Sequence, residues 1–245
     1  MAVNVNETEA KYDAPAGAAV PRLDGLPQAA GTSGPAGEQL EAEYYDTDDL
    51  RLIRAGVTLR RRRGGDDAGW HLKLPLGADT RREIRLPLGQ AGRRVPGELA
   101  DLVRVHTRGE LLRPVARLTT TRQRLVLLGQ AGESLAEVAA DDVCAETLRG
   151  TTATSSWHED EVELTGGDRE LLKAADELPA NLEARIPSPL PALDALAASD
   201  VGRRRRDLGL SRQARRQRTV RVGAGGNCHA QADRKRSAGQ AAENG

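Results

Sequence analysis

The stretch "ETEAK", residues 7–11, decides how this chain is read. Side chains alternate across an extended strand, so Glu7, Glu9 and Lys11 share one face while Thr8 and Ala10 take the other. A face carrying two carboxylates and an ammonium is either bathed in water or turned toward an interior built to hold charge. The flanking residues continue the alternation, and "VNVNETEAKYD" reads as one strand.

Working outward, period-two segments recur along the chain with turn residues between them. "AAVPRLDGL" has room for a helical turn, "AAGTSGPAGE" reads as a loop, and "QLEAEYYDT" as a second strand. Asp46 or Thr47 is placed to cap a helix over "DDLRLIRAG", which Gly56 ends. "VTLRRRR", "WHLKLPL" and "RREIRLPL" follow as strands joined by the turns "GGDDAG" and "GADT". "PGELADLVRVHTRG" reads as a helix and "LRPVARLTTTRQRLVLL" as one long or bent strand. "ESLAEVAADDV" and "TSSWHEDEVEL" supply two more strands, and "GGDRELLKAADEL" closes the ordered part as a helix with Leu171, Leu172, Ala175 and Leu178 on one stripe.

Charge is sorted among these strands. Thr58, Arg60 and Arg62 share a phase against Val57, Leu59 and Arg61, and His71 and Lys73 oppose Trp70, Leu72 and Leu74. Glu83 and Arg85 oppose Ile84 and Leu86, whereas Glu159, Glu161 and Glu163 stand together. A half-solvated antiparallel sheet explains any one such strand. Like charges repel along a face, so the whole set makes sense when the faces look at one another, or at a polyanion and its cation. About eight strands close into a barrel whose interior holds side chains or a small ligand. In that arrangement Arg60, Arg62, Lys73, Arg85 and Arg122 offer donors to phosphate oxygens. Glu7, Glu9, Glu159, Glu161 and Glu163 form an oxygen-only set suited to Mg2+ or Mn2+. Trp70 and Trp157 begin strands in positions that suit packing on the outer wall.

Composition narrows the class. The 245 residues are 38% hydrophobic with no Phe, so the core is built from Leu, Val and Ala. The formal charge is zero, yet residues 1–200 carry 24 Lys/Arg against 33 Asp/Glu and residues 201–245 carry 12 against 3. Cys144 and Cys228 lack metal-like spacing, so neither a disulfide scaffold nor a zinc site is expected, and a reducing compartment fits. His106 and His158 have no partner set at zinc spacing, and no GxxxxGK[ST] motif points to a P-loop. The N-terminus lacks an apolar signal region and no run reaches the ~20 apolar residues of a membrane helix, so a cytoplasmic protein with no membrane partner is expected.

"ETEAK" matches the ExExK signature of the CYTH domain, the adenylate cyclase and thiamine triphosphatase superfamily also called triphosphate tunnel metalloenzymes. "YYDT", "GVTLRRR", "WHLKLP", "RREIRLPL", "LRPVARL", "AEVAADDV" and "SWHEDEVEL" resemble the successive strands of that domain in order. The likeness covers residues 1–186 and is nearest to the CYTH half of bacterial CYTH–CHAD proteins. It implies an α+β fold, an eight-stranded antiparallel β-barrel that forms a triphosphate tunnel with a few flanking helices. By position it implies Glu7, Glu9, Glu161 and Glu163, with Glu159 in addition, as metal ligands for Mg2+ or Mn2+. Lys11 touches phosphate or orients the reacting water, and Glu9 and Lys11 serve as catalytic residues. Arg60, Arg62, Lys73, Arg85, Arg122 and Arg124 clamp phosphate, while Glu83 and Asp141 are further acidic tunnel residues.

The implied activity is metal-dependent hydrolysis of inorganic triphosphate or a related triphosphate-bearing substrate. The alternatives are a class IV adenylate cyclase-like activity and a non-catalytic polyphosphate-binding module. The expected partner is a triphosphate or polyphosphate; a homodimer is left open. Residues 187–245, Pro/Ala-rich and then Arg-rich without aromatics, are expected to be disordered. Their charge suits polyanions, but no nucleic-acid motif is present, so no specific nucleic-acid partner is expected. Relatives continue into a helical CHAD domain, and its absence where composition shifts is compatible with a truncated or frame-shifted tail.

Overall fold

In the computed structural model, residues 2–177 are described apart from 24, 27, 90, 91, 151 and 152. Eight strands run β1 (Val3–Asp13), β2 (Gly31–Asp46), β3 (Thr58–Arg63), β4 (Gly69–Pro75), β5 (Thr80–Leu86), β6 (Arg113–Leu128), β7 (Ser134–Thr147) and β8 (Thr154–Leu164). Four helices accompany them: α1 (Arg51–Arg54), α2 (Gly97–Leu102), α3 (Arg104–Thr107) and α4 (Arg169–Asp176). Every strand pair is antiparallel and the sheet closes in the order β1-β5-β4-β3-β2-β6-β7-β8.

β1 is the closing stave. Its first half pairs with β5, where Glu7 faces Arg81, and its second half pairs with β8, where Glu9 faces Glu163 and Lys11 faces Glu161. The "ETEAK" segment therefore straddles the seam, with its charged face inward.

Because the inward faces are charged, much of the apolar packing is displaced to the outer wall. One cluster gathers Ala10, Tyr12, Val138 and Val162 beneath Leu23, Leu26 and the α4 residues Leu171, Leu172 and Ala175. Asp168 starts α4 by accepting from the amides of Glu170 (3.1 Å) and Leu171 (3.2 Å), satisfying two donors that a helix start leaves open. Another cluster packs Leu59, Trp70 and Leu72 against Tyr45, Leu52, Leu99 and Val103. The Tyr45 and Trp70 rings meet at 4.9 Å. Fully burying one such large side chain contributes roughly 1.5–3 kcal/mol.

Several local expectations change. The Gly/Ser/Pro segment expected as a loop begins β2, because the long β6 offers it a ladder from Gly31↔Leu128 onward. Pro35 falls in the register shift between Ser33 and Ala36, where its missing N–H breaks no regular pairing. The helix expected over 96–109 is two short ones, α2 and α3, separated by Val103 at φ −102°, ψ 6°. α1 is a single turn, and both proposed caps serve it: Asp46 accepts from Leu52 N (2.9 Å) and Ile53 N (3.0 Å), and Thr47 Oγ1 from Arg51 N (3.1 Å). The segment after β1 forms turns rather than a helix among the described residues, and β7 runs on to Thr147. Cys144 is disulfide-bonded, where the spacing of the cysteines led no bridge to be expected. Leu178 and the tail 187–245 lie outside the described residues.

Candidate functional site

Alternation along each strand delivers the charged faces to one cavity of about 250 Å3 inside the barrel. Ten carboxylate residues and eight lysines or arginines line it, a formal balance of −2. β1 supplies Glu7, Glu9 and Lys11; β3 supplies Arg60 and Arg62; β4 supplies Lys73; β5 supplies Arg81 and Arg85. β6 adds Arg122 and Arg124, β7 Glu137 and Asp141, and β8 Glu159, Glu161 and Glu163.

Three carboxylates converge where β1 meets β8. Glu9, Glu161 and Glu163 each bring an oxygen within 4.8 Å of the others. Burial, then the neighbouring Glu161 and Glu7, push the Glu163 carboxyl up to about 7. Glu161 is instead held well below the usual carboxylate range: burial opposes its charge, but Lys11 and Arg122 outweigh it. A buried oxygen of Glu9, Oε2, has no hydrogen-bond partner. Crowded oxygen donors, one of which accepts no hydrogen bond and lies 3.7 Å from Lys73 Nζ, fit a hard divalent cation, which accepts carboxylates and completes its shell with water.

The other two acidic residues expected as ligands stand beside this trio. Glu7 is taken by Lys73 (2.5 Å) and Arg85 (2.7 Å). Glu159 meets Lys11 Nζ at 3.0 Å and accepts from Trp157 Nε1 at 2.9 Å. Lys11 also lies 3.2 Å from Glu161. Burial disfavours its charge, yet Glu159, Glu161 and Glu9 hold it protonated well above the usual lysine range.

The opposite wall is crowded with cations. Arg60 and Arg62 are neighbours on one face of β3, and each has a buried Nε without a partner. Burial, followed by repulsion from Arg60 and Arg122, pushes Arg62 down to about 9. Arg60 keeps its charge because Tyr44 and Glu83 offset burial; Tyr44 Oη lies 3.4 Å from its Nη1.

The remaining expected clamps are already engaged. Arg122 forks onto Asp141 (2.8 and 2.7 Å) and also meets Glu161 at 2.7 Å. Arg124 is held by Glu38 (2.5 Å), Asp66 (2.7 Å) and Glu137 (2.9 Å). Arg85 pairs with Glu83 and Glu7. Glu83 is fully buried and does not line the cavity; it lies behind it against His71, whose Nδ1 is 2.8 Å away.

Trp157, expected on the outer wall, faces the cavity, since it shares the parity of Glu159, Glu161 and Glu163. With Tyr44, Leu118 and Val143 it makes an apolar patch of the lining that packs toward Leu50, just before α1, and Ile53 within it. Arg81, 3.5 Å from Glu9, was missed, although it is in phase with Glu83 and Arg85. His158 pairs with Asp142 and lines a second, smaller pocket that shares Asp141 and Glu159 with the cavity; His158 itself does not line the cavity.

Comparison with known proteins places this geometry. The model of the CYTH domain matches residues 6–189. The chain belongs to the CYTH domain family. The CYTH segment is 40% identical over 171 residues to an uncharacterized protein of Mycobacterium tuberculosis, found in two strains. That match takes in 66% of this chain and 33% of the relative, so the chain spans about a third of the length of the curated relatives it matches. Among solved structures, a Hippeastrum protein described by a dominant triphosphatase activity is 16% identical, covering 80% of this chain and 95% of that one with a TM-score of 0.38. The PH1819 protein of Pyrococcus horikoshii is 16% identical over 79% of this chain and 98% of that one, TM-score 0.42. The Pct1 RNA triphosphatase of S. pombe, in complex with the Spt5 CTD, is 19% identical over 71% and 57%, TM-score 0.24. None of the described helices is long and apolar enough to cross a membrane.

Proposed function

We propose that the CYTH tunnel of this chain binds a triphosphate group together with a divalent cation and hydrolyses it, inorganic triphosphate being the leading substrate. The observation that carries the reading is the pair of opposed, internally repelling clusters: Arg60 and Arg62 on β3, and Glu9, Glu161 and Glu163 at the β1–β8 seam. A metal–triphosphate complex relieves both at once. The lining's formal −2 also means that a polyanion is unwelcome unless cations enter with it.

The residue roles follow. Glu9, Glu161 and Glu163 hold Mg2+ or Mn2+, while Glu7 and Glu159 keep Lys73 and Lys11 in place beside them. Arg60, Arg62, Lys73 and Arg81 take phosphate oxygens. When bound, the ion adds positive charge beside those oxygens and acidifies a coordinated water. Phosphoryl transfer asks for positioning and charge stabilisation more than for covalent chemistry, and this lining supplies both. Lys11, pinned by two carboxylates, donates toward the terminal phosphate as water attacks its phosphorus. The P–O–P bond then breaks, and pyrophosphate leaves. Arg122 sets Glu161 and Asp141 in place.

The test is phosphate release from tripolyphosphate, thiamine triphosphate and ATP, with and without Mg2+ or Mn2+, in the wild type and Glu9→Ala. Metal-dependent release lost in Glu9→Ala supports the reading. Cyclic AMP from ATP identifies a cyclase instead, and binding without turnover identifies a polyphosphate-binding module.

A further inference from the structure

The tunnel's carboxylates fall into two mechanical classes. Eight of the ten lining acids sit on strands of the closed barrel and cannot leave it. Asp66 and Asp67 are different: they belong to the β3–β4 hairpin loop, and both lie on arginines of the lining, Asp67 on Arg62 and Asp66 on Arg124 at 2.7 Å. Arg124 has strand carboxylates as well, in Glu38 and Glu137. For Arg62, Asp67 is the only carboxylate that forms an ion pair among the described residues.

The loop is shaped to put these carboxylates there. Gly64 and Gly65 adopt left-handed φ values of 80° and 70°. A Cβ at Gly64 would sit 2.0 Å from the Gln39 carbonyl oxygen, and one at Gly65 would meet Glu38 and Leu40 of the tunnel lining at 2.9 and 3.0 Å. The loop therefore lies against β2 at the cavity rather than projecting from the barrel. Its backbone is tethered from inside: the Asp67 carbonyl oxygen is 2.9 Å from Nε2 of the fully buried His71. The Asp67 side chain is not enclosed. It is 30% exposed, against 10% for Arg62, so the carboxylate can rotate into water while the backbone stays in place.

We propose that Asp67 is a built-in competitor for Arg62: its carboxylate occupies the guanidinium until a phosphate chain displaces it, with Asp66 doing the same, less completely, at Arg124. This rests on the triphosphate reading above and deepens it, since Asp67 then sets how tightly any anion that needs Arg62 is held. The cost is the same for every anion that reaches Arg62, because it is set by the fraction of molecules in which Arg62 is free.

That uniformity gives the test. Binding of tripolyphosphate and of pyrophosphate is measured by calorimetry at fixed magnesium for the wild type, Asp67→Asn and Asp67→Ala. Glu170→Gln on the exposed surface of α4 serves as a control for net charge. If Arg62 is about 90% occupied by Asp67, both Asp67 variants bind both anions about tenfold more tightly, by the same factor, and Glu170→Gln does not. Unchanged or weaker binding in the Asp67 variants overturns the inference. So does a gain that grows with the charge of the anion, or one that Glu170→Gln reproduces, since either marks simple field effects. No binding of either anion by any of these proteins overturns the triphosphate reading and this inference with it.

Discussion

Removing one of the proposed metal ligands is expected to stabilise the metal-free protein. Glu163 faces Glu9 directly across the β1–β8 ladder and shares its pocket with Glu161. Burial and these neighbours raise its carboxyl from an ordinary 4.5 to about 7. Between those values the folded state holds a proton that the unfolded chain has lost, so stability falls as pH rises through the window. At 1.36 kcal/mol per unit, the shift corresponds to a loss of roughly 3 kcal/mol, complete just above pH 7. Glu163→Gln removes the titration while keeping the shape. In urea unfolding with EDTA, the variant and the wild type should be about equally stable at pH 5. At pH 8 the variant should lead by roughly 2–3 kcal/mol, less whatever the amide loses in hydrogen bonding. Saturating Mg2+ or Mn2+ at pH 8 should reverse the order, because only the wild type keeps all three carboxylates. A stability difference that does not change between pH 5 and pH 8 would refute the reasoning, as would a variant weaker than the wild type at pH 8 without metal.

Other perturbations have definite expectations. Arg122→Met leaves Asp141 buried without its ion pair and Glu161 with Lys11 alone, and should cost about 3–5 kcal/mol in urea unfolding, part of which Asp141→Asn in the same chain restores. Leu72→Ala opens a cavity at a fully buried outer-wall position and should cost about 2–5 kcal/mol, read from the denaturation midpoint. Asp168→Ala removes the cap of α4 and should speed amide exchange at Glu170 and Leu171. Arg60→Ala leaves the seam carboxylates untouched and should raise KM for tripolyphosphate at least about tenfold, with magnesium binding unchanged.

Parity made most of the tunnel legible. Once Glu7, Glu9 and Lys11 were set on one face, the same alternation placed Arg60, Arg62, Lys73, Glu161 and Glu163, and the cavity gathers them all. The same rule, applied without exception, also includes Arg81 and Trp157. Trp157 was assigned outward because a large indole suggests apolar packing, yet its strand phase turns it inward. Composition misled at 31–38, where glycine, serine and proline look like a loop but β6 is long enough to hold them in a ladder. Which cations stay available to a ligand was not legible at all. Arg122 and Arg124 look like Arg60 and Arg62 in sequence, and only the closed ring reveals that three carboxylates hold each of them. The loop residues Asp66 and Asp67 have no strand parity, so alternation could not point them anywhere.

The seam has a consequence for how the molecule assembles. The rungs between β1 and β8 join residues about 150 positions apart, as in Lys11↔Glu161, and chain closure over such a distance is entropically unfavourable and slow to find. At that joint the first-made and last-made strands bring Glu9 and Glu163 face to face, so the ring is completed against electrostatic resistance. An ion seated between them would act as a rivet on the final joint. Occupancy of the site and completion of the ring would then be one event, and withdrawing the ion would loosen the barrel along a single predictable line.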